Sequence, residues 1–197
     1  MVTLTVIVVI LVVLGLYVMG VYNKMVANAN LYKNAWAEID VQLKRRYDLI
    51  PNLVEAVKGY MAHEKGTLEA VISARGAAVG ARERAAADPG DPAAMKALQQ
   101  AESGLGGALG RLLAVVEQYP ELKANQNTMQ LQNELAGTEN SIAQSRSTYN
   151  MTIMEYNNGR QMFPAVMFTG MLGFGEKVPL EATESAEERK PPKVSFK

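Results

Sequence analysis

The chain has 197 residues, with 20 basic and 20 acidic side chains, so its formal net charge at neutral pH is zero. It contains no cysteine and a single histidine. These counts exclude disulfides, thiolate metal sites and cysteine nucleophiles, and they argue strongly against histidine-based metal or catalytic sites. The balanced charge also argues against nucleic acid as a partner, because no broad basic field is present.

The chain begins with an apolar run from Val2 to Val21, and its first charged side chain is Lys24. At ~1.5 Å per residue, a helix of ~20 residues crosses the ~30 Å hydrocarbon core of a bilayer. No basic residues precede the run and no A-x-A-like cleavage site follows it, which favours an uncleaved anchor over a signal peptide. The sequence therefore predicts a transmembrane anchor at residues 1–22.

Basic residues follow this anchor and do not precede it. They are Lys24, Lys33, Lys44, Arg45 and Arg46. The positive-inside rule then places the N-terminus outside and the rest of the chain in the cytoplasm, as a single-pass protein of the bacterial inner membrane.

Three later stretches carry apolar side chains every three or four residues, whereas no long stretch alternates with period two. This spacing predicts three helices, at about 24–86, 92–119 and 127–162. The predicted fold is all-α: a transmembrane helix that continues into a long-helix antiparallel bundle or coiled coil. Residues 23–174 form the predicted helical domain. Residues 175–197, poor in apolar side chains, form a predicted disordered tail.

Local signals mark the helix ends. Asp91 is a predicted N-cap, with Pro92 in the first turn, and Asn127 with Gln130 is a predicted capping pair. Pro51 predicts a kink or interruption near residues 47–50. An unbroken first helix of ~60 residues would reach roughly 90 Å from the membrane and leave the end of the third helix far away. A reversal near Gly66 would instead bring that end close to the bilayer, and both alternatives remain open.

Two groups of residues are candidate interaction sites. The cluster Lys44, Arg45 and Arg46 is consistent with anionic lipid headgroups, but ion pairs are favoured, either with nearby acids of the same helix or with a neighbouring subunit. Those acids are Glu38, Asp40 and Asp48.

The second candidate is the apolar segment that runs from Phe163 through Phe168 to Phe174, which is too short to span a membrane. Capping of the bundle core and docking on another subunit are equally favoured for it, and lipid insertion is favoured less.

Three further patterns have mainly structural interpretations. His63 and Glu64 lack the second histidine of an H-E-x-x-H zinc motif, because position 67 is threonine. The glycines between 104 and 110 match no nucleotide-binding loop, so they indicate close helix approach or a local helix break. The many amides between 125 and 161 fit a solvated face and partner-specifying contacts equally well. We predict no cofactor or metal.

The run from Ala35 to Tyr60, AWAEIDVQLKRRYDLIPNLVEAVKGY, resembles the LemA family of bacterial membrane proteins. Leu112–Glu117, Thr138–Asn140 and Phe163-Pro164 also match its pattern. The resemblance implies an N-terminal transmembrane helix, a long α-helical cytoplasmic domain and no established enzymatic activity. Relatives associated with magnetosome membranes imply, by analogy, a role in membrane organisation. The Asn158-Gly159 pair departs from the pattern and predicts a break in the third helix.

These observations lead to one main hypothesis: a non-enzymatic inner-membrane scaffold that self-assembles through its long helices and organises or remodels the membrane. Its expected partners are membrane lipids, through the N-terminal helix, and further copies of the chain. The alternative is a membrane-anchored adaptor or sensor-like module that recruits a different protein. An enzyme is the least favoured class, because no pair of acidic residues is distinguished by the sequence.

Overall fold

A computed structural model describes residues 1–61 and 64–181. Within these ranges the chain forms helices and no strand, which confirms the all-α class. Four long helices and two single-turn helices follow one another: α1 (Val2–Lys58), α2 (Lys65–Ala87), α3 (Pro92–Val116), α4 (Pro120–Lys123), α5 (Gln126–Gln161) and α6 (Val166–Thr169).

The first helix is both the apolar anchor and the central column of the bundle. Its side chains are exposed and almost all apolar up to Tyr22, and from Met25 onward every third or fourth side chain is buried. No residue between the two halves interrupts the helix. The expectation that the anchor continues straight into the domain is therefore confirmed.

The chain reverses direction between Lys58 and Lys65, which agrees with the alternative of a reversal near Gly66 and not with an unbroken first helix. The predicted first helix at 24–86 is two helices, because α2 turns back and packs against α1. By helix rise, Lys58 lies about 54 Å beyond Tyr22, not 90 Å. The helices α1, α2, α3 and α5 thus alternate in direction as a four-helix bundle, and α5 returns toward the anchor while packing along α1.

The core of the bundle is a continuous column of apolar side chains contributed unequally by the four helices. The first and third helices supply most of its large aliphatic residues, including Ile39, Leu43, Leu98, Leu105 and Leu112. The fifth helix contributes few aliphatic side chains and relies on Tyr149, Ile153 and Tyr156. Burial of apolar surface at about 25 cal/mol per Å² is the main stabilising contribution of such a core.

Pro51 does not interrupt α1, contrary to one of the two predicted outcomes. Proline has no N–H, so the carbonyl of Tyr47, four residues earlier, lacks its usual helical donor. The structure supplies another donor, because Nε of Arg75 on α2 lies 2.6 Å from that carbonyl oxygen. The helix therefore continues through Pro51, and the vacated carbonyl ties α1 to α2.

Helix ends confirm one further prediction and correct two others. Asp91 caps α3 as predicted, accepting from the Ala94 N–H at 2.8 Å, but Asn125, not Asn127, caps α5. Helix α5 continues through Gly159, so the predicted break is wrong. A Cβ on Gly159 would lie 3.1 Å from Nδ2 of Asn28, which explains a glycine where α5 crosses α1.

We predict energetic coupling between Pro51 and Arg75, measured as unfolding free energies of Pro51→Ala, Arg75→Ala and the double variant. In the natural background, Arg75→Ala leaves the Tyr47 carbonyl without its donor and should cost about 1.5–3 kcal/mol. In the Pro51→Ala background the restored N–H can serve that carbonyl, so the same change should cost less than half as much. Equal costs in both backgrounds would contradict this account.

Candidate functional sites

A buried charge cluster joins three helices of the bundle. Arg46 on α1 forms ion pairs with Glu102 on α3 and Glu139 on α5, and the Tyr47 hydroxyl donates to Glu102. Arg46 and Glu102 are buried, whereas Glu139 is largely exposed. Charges removed from water must be paired and hydrogen-bonded. The cluster therefore fixes α3 and α5 against the same turn of α1.

Electrostatics keep the hydroxyl of this cluster protonated. Burial raises the pKa of Tyr47 to about 12, and the positive charge of Arg46 opposes part of that rise. At neutral pH the hydroxyl therefore remains a donor to Glu102. Closer to the predicted anchor, Arg82 of α2 donates from Nε and Nη2 to the carboxylate of Asp40, at 2.6 and 2.8 Å. These hydrogen bonds to Asp40 raise the pKa of Arg82.

The predicted basic cluster is thus divided by the fold. Arg46 forms ion pairs, as favoured, but with acids of α3 and α5 and not with the nearby acids of its own helix. Lys44 and Arg45 are exposed beside Asp40 and Asp48. Residue 45 lies about 35 Å along the unbroken helix from Tyr22, so Lys44 and Arg45 are too far away to contact headgroups of the chain's own bilayer. A contact with a neighbouring subunit remains a prediction for these two residues.

The three candidate phenylalanines lie beside the C-terminal end of the predicted anchor. The Phe168 ring packs edge-on against Tyr17 with centroids 6.3 Å apart, and the Phe174 ring lies 5.6 Å from Tyr22. Phe174 also packs against the bundle core, whereas Phe163 is exposed. The structure thus brings this segment to the membrane end, which is the second of the two alternatives left open by the sequence.

Two amides of α5 hold the chain that follows this segment. Asn150 both donates to the carbonyl and accepts from the N–H of Leu180, at 3.0 and 2.9 Å. Asn157 makes the same pair of bonds with Lys177, at 2.6 and 3.2 Å. Residues 175–181 are therefore held against α5, whereas the sequence predicted that they belong to a disordered tail. The rest of that predicted tail lies outside the described residues.

Spacing explains why this pair of amides fits. Asn150 and Asn157 are seven residues apart, about 10.5 Å along a helix, and three extended residues from Lys177 to Leu180 cover about the same distance. The held segment also reaches the turn between α2 and α3, where the Val178 N–H donates to the Gly90 carbonyl at 3.0 Å. Gly90 has a φ of +87°, and a Cβ there would lie 2.9 Å from Cβ of Lys177, so glycine is required.

The glycines of α3 have no partner within the described chain. Helix α3 runs through Gly104, Gly106, Gly107 and Gly110 without a break, and a Cβ on any of them would meet nothing within 4 Å. Both sequence interpretations, a break and a close approach to another helix, are therefore wrong within a single chain.

Other candidates give no site. His63 lies outside the described residues. In the part of the chain that is described, no group of three acidic or histidine side chains is placed to hold a metal ion.

Sequence analysis did not predict the charge cluster, nor the pair of amides, Asn150 and Asn157, that we term the amide clamp. One signal for the cluster existed, because Glu102 occupies a position in the otherwise apolar stripe of its helix. A weaker signal for the clamp formed by Asn150 and Asn157 also existed, because each of these two amides follows a tyrosine, seven residues apart, and no other amide of α5 does.

Comparisons with known proteins identify a family and individual relatives. The model of the LemA family matches residues 35–196. The chain belongs to the LemA family. It is 29% identical over 171 residues to Magnetosome protein MamQ of Magnetospirillum gryphiswaldense, which covers 78% of this chain and 62% of that protein. It is 31% identical over 151 residues to Magnetosome protein MamQ 2 of Paramagnetospirillum magneticum, covering 69% and 56%. The chain thus spans less than two thirds of the length of these relatives.

Family membership and the single apolar helix together support a membrane-associated protein. Residues 2–58 form one helix whose N-terminal part is long and apolar enough to cross a bilayer, and that part is almost entirely exposed. The LemA resemblance inferred from the motifs is confirmed.

We predict unequal contributions from the two acids that pair with Arg46. Glu102→Ala leaves a buried guanidinium and the Tyr47 hydroxyl without their shared partner and should cost about 3 kcal/mol of unfolding free energy. Glu139→Ala removes an exposed acid and should cost less than about 1 kcal/mol. Denaturant unfolding of the detergent-solubilised chain measures both, and equal losses would refute the assignment of Glu102 as the buried partner.

We also predict that the amide clamp can be opened without unfolding the bundle. Asn157→Ala removes two bonds to Lys177 and should raise hydrogen exchange of the Lys177 and Val178 amides about tenfold, which is about 1.4 kcal/mol of local opening. The neighbouring, exposed Asn158→Ala is the matched control and should leave those amides unchanged. Faster exchange throughout α5 in the Asn157 variant would show a global role instead.

Proposed function

We propose that this protein is a non-enzymatic membrane scaffold in which α1 anchors each copy and the bundles associate side by side to organise the membrane. In this proposal the N-terminus lies outside and the bundle in the cytoplasm of the bacterial inner membrane. The basic residues that follow the anchor support that orientation. The names of the relatives, which are magnetosome proteins, support a role at a membrane.

The observation that carries the proposal is a stripe of small residues on the outward face of α3. The outer stripe consists of Ser103, Gly107, Gly110 and Ala114, at intervals of four, three and four residues, and all four are exposed. Each glycine in a helix interior costs about 1 kcal/mol relative to alanine. Nothing in the described chain gains from the missing side chains, whereas a second helix could approach closely there.

The anchor gives this stripe a common height in every copy. Because α1 is one unbroken helix from the bilayer into the bundle, it limits how far the bundle can move relative to the membrane. Copies in the same bilayer would then present their outer stripes at the same distance from it. Lateral association of two such stripes follows a two-fold axis normal to the membrane, the usual geometry of a homodimer.

We predict opposite effects of one substitution on folding and on assembly. Gly107→Ala should raise the unfolding free energy of the bundle by about 0.5–1 kcal/mol through helix propensity, while reducing the oligomeric fraction in native mass measurements of gently extracted protein. Gly137→Ala is the matched control, since Gly137 is an exposed glycine of α5 with equally open surroundings. It should stabilise the bundle similarly and leave the oligomeric fraction unchanged.

Two results would contradict the proposal. A natural chain that stays monomeric across concentrations in native membranes and after extraction would refute self-assembly. Recovery of a stoichiometric, different protein with no self-association would favour the adaptor alternative, in which the outer stripe contacts that protein.

A further inference from the structure

We propose that residues 161–175 insert into the bilayer surface beside α1, so that the partner of this segment is lipid. The inference depends on the membrane anchor and not on self-assembly, so the two proposals can fail independently. The segment, which we term the interfacial turn, contains α6 and no charged side chain from Gln161 to Gly175. Charged residues begin again immediately outside it, at Arg160 and Glu176.

Ring contacts fix the depth of the interfacial turn. Phe174 packs on Tyr22, at the end of the apolar run, and Phe168 packs on Tyr17, five residues further into that run. Five residues correspond to about 7.5 Å along a helix. The turn therefore lies beside the last turn and a half of the membrane-spanning segment, at the depth typical of interfacial elements.

The outward surface of the interfacial turn is apolar. Phe163 is 81% exposed and Met171 is 88% exposed, and Val166 and Met167 are also exposed. Next to them lies an apolar groove of about 400 Å³, bounded on the anchor side by Tyr17 and Val21. Such a concentration of large exposed apolar side chains marks a contact surface, and here it continues the exposed apolar surface of α1 directly.

Part of the backbone of the interfacial turn is hydrogen-bonded internally, which lowers the free-energy cost of placing it where water is scarce. Seven N–H groups donate to carbonyls within residues 162–170, namely those of residues 166–169 and 172–174. The buried Thr169 hydroxyl donates to the Arg160 carbonyl at 3.1 Å, and the Tyr156 hydroxyl donates to the Gly175 carbonyl at 3.0 Å. These bonds reduce the number of unpaired polar groups that the turn presents to lipid.

Continuity with the anchor favours lipid over a second protein. The exposed side chains of α1 at the same depth are those that lipid must surround when the helix crosses the bilayer. A protein partner for Met167 or Met171 would have to displace lipid from this position, whereas lipid reaches them without any rearrangement. Sequence analysis favoured core capping and docking on another subunit over lipid insertion, and this proposal reverses that order.

The natural absence of cysteine allows a direct depth measurement. An environment-sensitive fluorophore is attached to Met167→Cys or, as the control, to Met151→Cys, in the full chain reconstituted in vesicles of phosphatidylcholine and phosphatidylglycerol. The two methionines are matched in exposure, at 61% and 62%, but Met151 lies on α5, beside the Tyr149 that packs on Trp36. Quenching by shallow spin-labelled lipid should be at least about threefold stronger at 167, and quenching by aqueous iodide at least about threefold weaker.

A second label position keeps the test independent of one substitution. Met171→Cys should behave like Met167→Cys, and circular dichroism checks that each labelled chain retains its helices. Iodide quenching at 167 and 171 equal to that at 151 would overturn the proposal. Protection of the labelled chain from both quenchers, together with disulfide cross-linking of unlabelled Met167→Cys copies by an added oxidant, would also overturn it and assign the surface to a second copy. Monomeric protein with strong lipid quenching would leave this proposal intact and refute only self-assembly.

Discussion

The continuity of α1 constrains every other part of the structure. One helix passes from a segment whose side chains are exposed and apolar on all sides to a segment whose side chains are buried on one face. Because a helix is stiff over this length, the elements packed on its second half are positioned relative to the bilayer as well as to one another. A flexible linker at the same place would allow the bundle to fold, but would leave its orientation undefined.

Alternation of direction then determines what lies at each end. The distal end contains the reversal between α1 and α2, and the membrane end collects the α2–α3 turn and the end of α5. The most polar long helix, α5, reaches the membrane end by packing aromatic rings on α1: Tyr149 on Trp36 and Tyr156 on Tyr32, with centroids 5.7 and 5.2 Å apart. Desolvation in this contact raises the pKa of Tyr32 to about 12 and also raises that of Tyr149, so both rings stay neutral.

The sequence predicted correctly the features that depend only on residues close together in the chain. Helical periodicity, the length of the apolar run and the Asp91 cap all follow from short-range geometry, and the structure agrees with them. The choice between an unbroken first helix and a reversal near Gly66 stayed open, because Gly59 and Gly66 are weaker local signals than the apolar spacing that continues past them. The partners of Arg46 could not be predicted, since Glu139 lies 93 residues away and the candidates one helical turn away satisfied the local rule.

The same distinction applies to the glycines. Gly159 was predicted to break a helix, yet it allows α1 and α5 to approach at Asn28. The glycines of α3 were predicted to allow such an approach, yet none occurs within the described chain. A glycine signals either flexibility or proximity, and only the packed structure tells which one applies. The packed structure shows neither at Gly107, which lies in one outward stripe with Ser103, Gly110 and Ala114. This grouping, which Gly137 of α5 lacks, is why the outer stripe supports assembly.

Taken together, the two proposals imply that the protein adds more area to one leaflet of the membrane than to the other. The anchor alone takes up similar area in both leaflets, whereas the interfacial turn adds apolar volume only to the leaflet that meets the bundle. Insertion into one leaflet expands it relative to the other, and binding of this kind depends on curvature. A single copy would perturb only the lipid around it. Pairing of two copies through α3 would place two interfacial turns close together in one leaflet, so that the outer stripe sets where the expansion is concentrated and the turns supply it.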